Sequence, residues 1–400
     1  MLSLIRIALS GVVLSLVLVA LVPNDIKRNF VTYDFLAYWS STQLLLAGEN
    51  PYSREKLLEL ESGIGSFSLL PAQMWYCPWV FLILAPFFNF LSLENSALTW
   101  AIFNILAFSS SASWLYSTIR PRVNFSAGSS KLPQESVLLP VAVAILFYPL
   151  IDAVTWNQIT PLISAGVFLV FTFLLSGRPF WAGVFSIVFT IKPHLFLTLY
   201  PLVLWEVCKT KDLKLALGFF SGLISTCSLT MLLFGPEIFA QWISTMTSPP
   251  AHLFTPTLAG WVRYFMLTQF NSTSLYSTLI IAVVGNLASS LFLLTAFGKN
   301  KTRWEILFPG ALILSLCFAP YCNVHDFCLL LPAILAMMSA EFSCRRHLLL
   351  FLGLAALLAV RILVFHTAPT MVWLPWLVAL NYFYWVRCNE VELFPAKRQA

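Results

Sequence analysis

The feature that most limits this chain is a succession of long apolar runs with hardly a charge inside them. They fall at 7–23, 76–93, 96–116, 136–152, 159–176, 180–205, 214–234, 275–297, 304–320, 327–341, 347–365 and 371–387. A bilayer core is about 30 Å thick and takes roughly 20 apolar residues per crossing helix, so these runs make about twelve candidate crossings. A weaker run at 256–270 is a thirteenth crossing or an interfacial helix. Only 10% of the 400 residues are charged and 59% are hydrophobic, whereas a soluble domain carries about 25% charged residues. Such a chain cannot cover its own surface with polar groups, and lipid must do so. Helices are expected because each satisfies its own backbone hydrogen bonds in lipid. A membrane barrel would show alternating segments of about ten residues, and none is present. The predicted fold is therefore all-α and polytopic, a single integral membrane domain over residues 1–400 with no fixed-period repeat.

The net charge of +6 does not point to nucleic acid. Much of it sits in short loops: Lys209, Lys211 and Lys214; Lys299, Lys301 and Arg303; Arg345 and Arg346; Lys397 and Arg398. Basic residues stay on the cytoplasmic side of a membrane, which puts these loops inside. The first long loop, 24–75, then lies outside with a second one at 235–256 and the turns at 321–326 and near His366. Counting alone would also put Arg120, Arg122, Lys131 and Arg178 outside. A broken or re-entrant segment within 76–116, and another within 180–205 at Lys192-Pro193, removes the conflict. The first run lacks a small-residue cleavage site after it and reads as a retained helix. The eight cysteines form no Cys-x-x-Cys pair, and the close set Cys317, Cys322 and Cys328 is too sparse for a zinc site. A Cys322–Cys328 disulfide is a weak alternative.

Polar residues gather at a few positions. In Tyr33-Asp34-Phe35-Leu36-Ala37-Tyr38-Trp39, a helix would put Asp34 and Tyr38 on one face. A carboxylate there can take a proton from a hydroxyl. The plainer reading is an interfacial aromatic belt with Asp34 capping a helix. Gly48-Glu49-Asn50-Pro51-Tyr52 marks a turn, and Arg54 to Glu61 a short amphipathic piece. Lys192 and His194 lie deep in an apolar run, where a lysine costs roughly 2.5–3.5 kcal/mol and needs a partner. A phosphate suits a point charge of this kind, although a snorkelling lysine is the alternative. Asn323-Val324-His325-Asp326 forms a polar turn in which Asp326 could orient His325. Asn157 and Gln158 could bond sugar hydroxyls. Arg263, just after Trp261, is a further anion ligand.

In this order the motifs resemble those of glycosyltransferase family 87, membrane mannosyltransferases of GT-C architecture. The matching pieces are Asp34-Phe35-Leu36-Ala37-Tyr38-Trp39, then Gly48 to Tyr52, then the aromatic and proline lead-in Tyr76-Cys77-Pro78-Trp79. Gln158, the helix from Gly183 into Lys192-Pro193, and Pro320 to His325 follow. The resemblance spans about residues 30–330. There are departures: Cys77-Pro78 stands for a Pro-Pro pair, Asn157 for a glycine, and a single histidine for a His-rich late motif.

The resemblance implies a GT-C-like bundle with short amphipathic helices in its first outer loop. It implies a polyprenyl-phosphate-linked hexose as donor, mannose being typical, and a lipid-anchored glycan or other outer-face hydroxyl as acceptor. It further implies inversion at the anomeric carbon, with Asp34 as general base. Lys192, His325 and Arg263 would hold the donor phosphate. Tyr38, Trp39, Asn50, Tyr52, Asn157, Gln158, His194, Asn323 and Asp326 would contact substrate. A phosphate leaving group needs no metal, and neither metal nor cofactor is expected. The location implied is the bacterial plasma membrane, with the active site on the extracytoplasmic side. Two other readings stay open: a transporter or flippase of a lipid-linked sugar, and a non-catalytic envelope-assembly protein.

Overall fold

The computed structural model of the chain describes residues 22–65, 70–123, 138–247, 255–270, 276–297, 304–339 and 372–393. The expected first helix at 7–23, the run 347–365 and the turn near His366 lie outside them. Every regular element among the described residues is helical. In chain order these are α1 Asn24–Arg28, α2 Tyr33–Leu46, α3 Arg54–Gly63, α4 Phe81–Phe88, α5 Leu93–Val123, α6 Leu138–Leu146, α7 Tyr148–Thr155 and α8 Thr160–Leu175. Next come α9 Pro179–Phe185, α10 Leu199–Thr210, α11 Lys214–Phe234, α12 Glu237–Met246, α13 Leu258–Phe270, α14 Tyr276–Phe297, α15 Trp304–Cys317, α16 Leu331–Ser339 and α17 Trp373–Leu393.

Among the described residues, three helical stretches are long and apolar enough to cross a bilayer: Leu93–Pro121, Lys214–Phe234 and Thr278–Phe297. Several of the other expected crossings are shorter. The run 76–93 yields only Pro78–Phe88, about 16 Å of helix, which is half of a bilayer core. The run 136–152 divides into α6 and α7 at Phe147, two residues before Pro149, whose nitrogen cannot continue the helical ladder. The run 180–205 breaks into α9, a 3-10 stretch Ser186–Thr190, a 3-10 turn Pro193–Leu195 and α10. The break expected within 180–205 is therefore present as a departure from continuous helix.

The apolar helices differ in what covers them. On α11, Leu217, Phe220, Ile224, Leu232 and Leu233 are exposed, and on α14 so are Leu279, Ile280, Val284, Leu287 and Leu291. Rows of exposed large apolar side chains suit lipid and not water, as befits an integral membrane protein. By contrast, every residue of α15 from Ile306 to Cys317 is buried.

The chain divides into two compact units. The first draws on Met1–Phe108, Ile151–Leu162 and Phe220–Pro250. Its core holds Phe35, Phe81, Phe88 and Trp100, with Phe88 edge-on to both Phe35 and Trp100. The second draws on Ser109–Leu150, Ile163–Phe219 and Ala251–Ala400. There α15 packs against α14 and α17, and Phe308 stacks on Phe171 at 4.7 Å. In the same unit α9 meets the start of α11 through two glycines. A methyl group on Gly183 would run into the Leu215 carbonyl oxygen and the Gly218 backbone, and one on Gly218 into the Phe180 carbonyl.

Candidate functional site

In the first unit α2 carries three of the candidate site residues, Asp34, Tyr38 and Trp39. Thr32 caps this helix, its hydroxyl accepting from the Phe35 N–H at 3.3 Å and donating to the Trp156 carbonyl at 2.6 Å. Asp34 is thus not the cap. It sits half-buried in the first turn, where the helix dipole favours its negative form. Tyr38 lies one turn on, on the same face, and is 3% exposed. Its hydroxyl donates to Gln158 Oε1 at 3.1 Å and lies 3.4 Å from the Tyr76 hydroxyl. Burial, then Tyr76, then the Asp34 charge push the Tyr38 phenol well above its usual pKa, so it remains a proton-bearing donor. Trp39 follows with its indole nitrogen buried and without a hydrogen-bond partner among the described residues.

The turn after α2 is a Schellman close. Gly48 has φ +75°, its N–H donates to Leu45, and the Glu49 N–H donates to Leu44. This is the left-handed position that glycine fills without strain. Asn50 then accepts from the Tyr52 N–H at 2.9 Å in an Asx turn, and the Tyr52 hydroxyl donates to the Tyr76 carbonyl at 2.9 Å. Asn50 and Tyr52 also line a pocket of about 540 Å³.

The same device explains Asn157. The Asn157 N–H donates to Val154 and the Gln158 N–H to Ala153, closing α7 with Asn157 at φ +53°. Asparagine is the usual non-glycine residue in this conformation, so the departure from glycine preserves the backbone. Asn157 Nδ2 donates to the carbonyls of Phe30 at 3.0 Å and Ala97 at 2.9 Å. Its amide joins three segments of the unit, and Gln158 is the member of the pair that meets the Tyr38 hydroxyl.

In the second unit the buried Lys192 ammonium donates to Asp326 Oδ1 at 2.6 Å. Their side chains are 5% and 0% exposed. His325 Nε2 lies 3.8 Å from the same oxygen, so Asp326 serves the lysine more closely than the histidine. Asp326 Oδ2 accepts from the Asn323 N–H at 2.8 Å, which fixes the carboxylate at the start of the 3-10 stretch Val324–Leu330. Asn323 Nδ2 donates to the Tyr321 hydroxyl at 2.9 Å, and the Tyr321 ring lies 5.6 Å from that of His194. Lys192, His194, Asn323, His325 and Asp326 are thereby gathered in one place. Arg263 takes no part in that ion-pair cluster among the described residues. It lies on α13, whose Trp261, Val262 and Phe265 line an apolar groove with Trp373 and Trp376. Cys317, Cys322 and Cys328 are free thiols, and among the described residues no three His, Cys, Asp or Glu side chains converge as metal ligands would.

Sequence reasoning overlooked the polar residues that support the break at Lys192. The Thr198 N–H donates to Ser315 Oγ at 2.9 Å, and the Thr198 hydroxyl to Asn286 Oδ1 at 2.7 Å. Ser290 Oγ donates to the Thr198 carbonyl at 3.1 Å, and Asn286 Nδ2 to the Phe318 carbonyl at 3.0 Å. Irregular backbone among apolar helices needs such partners. The available signal was Asn286, an amide in the middle of an apolar run. Also overlooked was Glu61, 1% exposed, both of whose oxygens accept from the Ala72 N–H at 3.0 and 3.2 Å.

The sequence model of glycosyltransferase family 87 matches residues 75–320. Asn157, Gln158, Lys192, His194 and Arg263 fall inside that match. Asp34, Tyr38, Trp39, Asn50 and Tyr52 precede it, and Asn323, His325 and Asp326 follow it. No curated protein and no solved structure matches the chain.

Proposed function

The chain belongs to glycosyltransferase family 87, and from that premise we propose that it moves a hexose, typically mannose, from a polyprenyl-phosphate donor to an acceptor hydroxyl on the outer face of the membrane. A membrane glycosyltransferase is what the family establishes. The donor, the sugar and the residue roles are our reading.

The observation that carries it is the carboxylate of Asp34, half-buried on α2 one turn from a tyrosine hydrogen-bonded to Gln158. In the proposed step the acceptor oxygen attacks C1 of the hexose while its proton passes to Asp34. The bond from C1 to the phosphate oxygen breaks, and the polyprenyl phosphate leaves with the electron pair. One displacement inverts the anomeric carbon. Charge develops on the departing phosphate, and fixed N–H donors there lower the barrier. Lys192 and His325 take that role in this reading, with Arg263 as a further cation. Asp326, 2.6 Å from the ammonium, orients Lys192. The pairing is consistent with a lysine that acts as a placed donor more than as a loose charge.

The test is a transfer assay on protein reconstituted in lipid, offering radiolabelled polyprenyl-phosphate-mannose and extracted membrane lipids. Asp34→Asn should lower turnover by about 10²- to 10⁴-fold, the usual worth of a general base, with an unchanged unfolding temperature. Undiminished turnover would remove Asp34 from the role. Passage of intact labelled donor across the bilayer, with no product formed, would replace the enzyme by a transporter.

A further inference from the structure

The pocket of about 540 Å³ in the first unit has a composition that the chemistry above does not use. Its volume suits a small ligand. Its walls come from two separate stretches of chain. Asn50, Arg54, Gln73 and Trp75 supply one side, and Gln241 and Ser244 of α12 the other. The two sides are tied together where the Trp242 indole donates to the Trp75 carbonyl at 3.3 Å. Gln73 is held by donation to the Tyr52 carbonyl at 3.3 Å. The lining is thus an amide- and hydroxyl-rich surface with one indole and one cation, and no carboxylate among its residues.

We propose that this pocket binds a saccharide unit of the acceptor. Hydroxyls of a pyranose need both donors and acceptors; Gln241 offers both, Asn50 Nδ2 is a donor, and Gln73 Oε1, which has no hydrogen-bond partner among the described residues, is an acceptor. An indole face packs against the C–H side of a sugar ring. The assignment to acceptor and not donor follows from connectivity within this unit. Tyr52, which lines the pocket, donates to the Tyr76 carbonyl, and the Tyr76 hydroxyl lies 3.4 Å from that of Tyr38, on the helix that carries Asp34. The pocket is thus joined through Tyr52, Tyr76 and Tyr38 to the helix of the proposed base, and the acceptor is the substrate whose proton that base takes. The inference rests on the glycosyltransferase reading above and names the substrate subsite that reading lacks.

The experiment separates the two by measuring binding without turnover. Saturation-transfer NMR is recorded on the full chain in lipid nanodiscs with a panel of methyl hexopyranosides and hexose disaccharides. Wild type and Asp34→Asn should both give sugar signals. Ser244→Trp, which fills the pocket, should abolish them, and Gln241→Ala should weaken affinity about tenfold, both with unchanged unfolding temperature. Equal signals in wild type and Ser244→Trp would overturn the proposal, as would no sugar binding by wild type. Pocket-dependent binding in a protein that transfers no hexose would sustain the subsite and sink the enzymatic reading.

Discussion

Asp326 accepts from the Lys192 ammonium at 2.6 Å across 134 residues of sequence, with both side chains buried. Two charges removed from solvent depend on one another, and truncating one strands the other at a cost of about 3–5 kcal/mol. Lys192→Met should therefore lower the unfolding temperature sharply in a detergent melt, and Asp326→Leu likewise. The double variant should be more stable than either single one. Additive losses would show that the pair is not coupled.

Asn157 predicts a graded series. Asn157→Gly keeps the left-handed backbone but leaves the carbonyls of Phe30 and Ala97 without their donor, a loss of about 1–3 kcal/mol. Asn157→Ala adds a strained left-handed residue, about 1–2 kcal/mol more. Equilibrium unfolding should rank the proteins wild type, glycine, alanine. An alanine variant as stable as the glycine variant would contradict the conformational argument.

Gly183 and Gly218 allow α9 and α11 to touch backbone to backbone. Gly183→Ala should force the helices apart and cost well over the roughly 1 kcal/mol by which alanine normally favours a helix over glycine. Gly63→Ala, at the end of α3 with open space around it, should be neutral or slightly stabilising. Comparable melts for the two variants would show that the crossing is looser than described.

Glu61 carries a pH prediction. Burial raises its pKa, with the Ala72 N–H opposing. The folded chain then holds this proton more tightly than the unfolded one, so the stability it contributes is full in acid. It is lost as pH climbs from the ordinary glutamate value of about 4.3 through the raised folded value. Glu61→Gln should flatten that slope in melts recorded across the window. A variant whose melting temperature tracks wild type at every pH would exclude the effect.

Several of these features were legible in the sequence. The helical class followed from run length and the absence of charge, because lipid forces each segment to satisfy its own backbone. The turn at Gly48, the helix through Asp34 and Tyr38 and the break at Lys192-Pro193 were readable from local rules, since each depends on a few neighbouring residues. The number of crossings was not readable in that way. Hydropathy assigns the same value to Phe308, buried in α15, as to Phe220, exposed on α11.

The sequence by itself determined that this chain is a helical membrane protein with polar residues concentrated in its first long loop, at helix boundaries and turns and in the one interrupted run around Lys192-Pro193, for burial of backbone groups in lipid admits little else. Tertiary structure alone decided which polar groups meet. Lys192 found a carboxylate 134 positions away, Asn157 turned out to be a staple while its neighbour Gln158 met Tyr38, and Asn286 closed a break in a distant segment. Such pairings depend on which helices lie side by side, and hydropathy along a single chain carries no term for that.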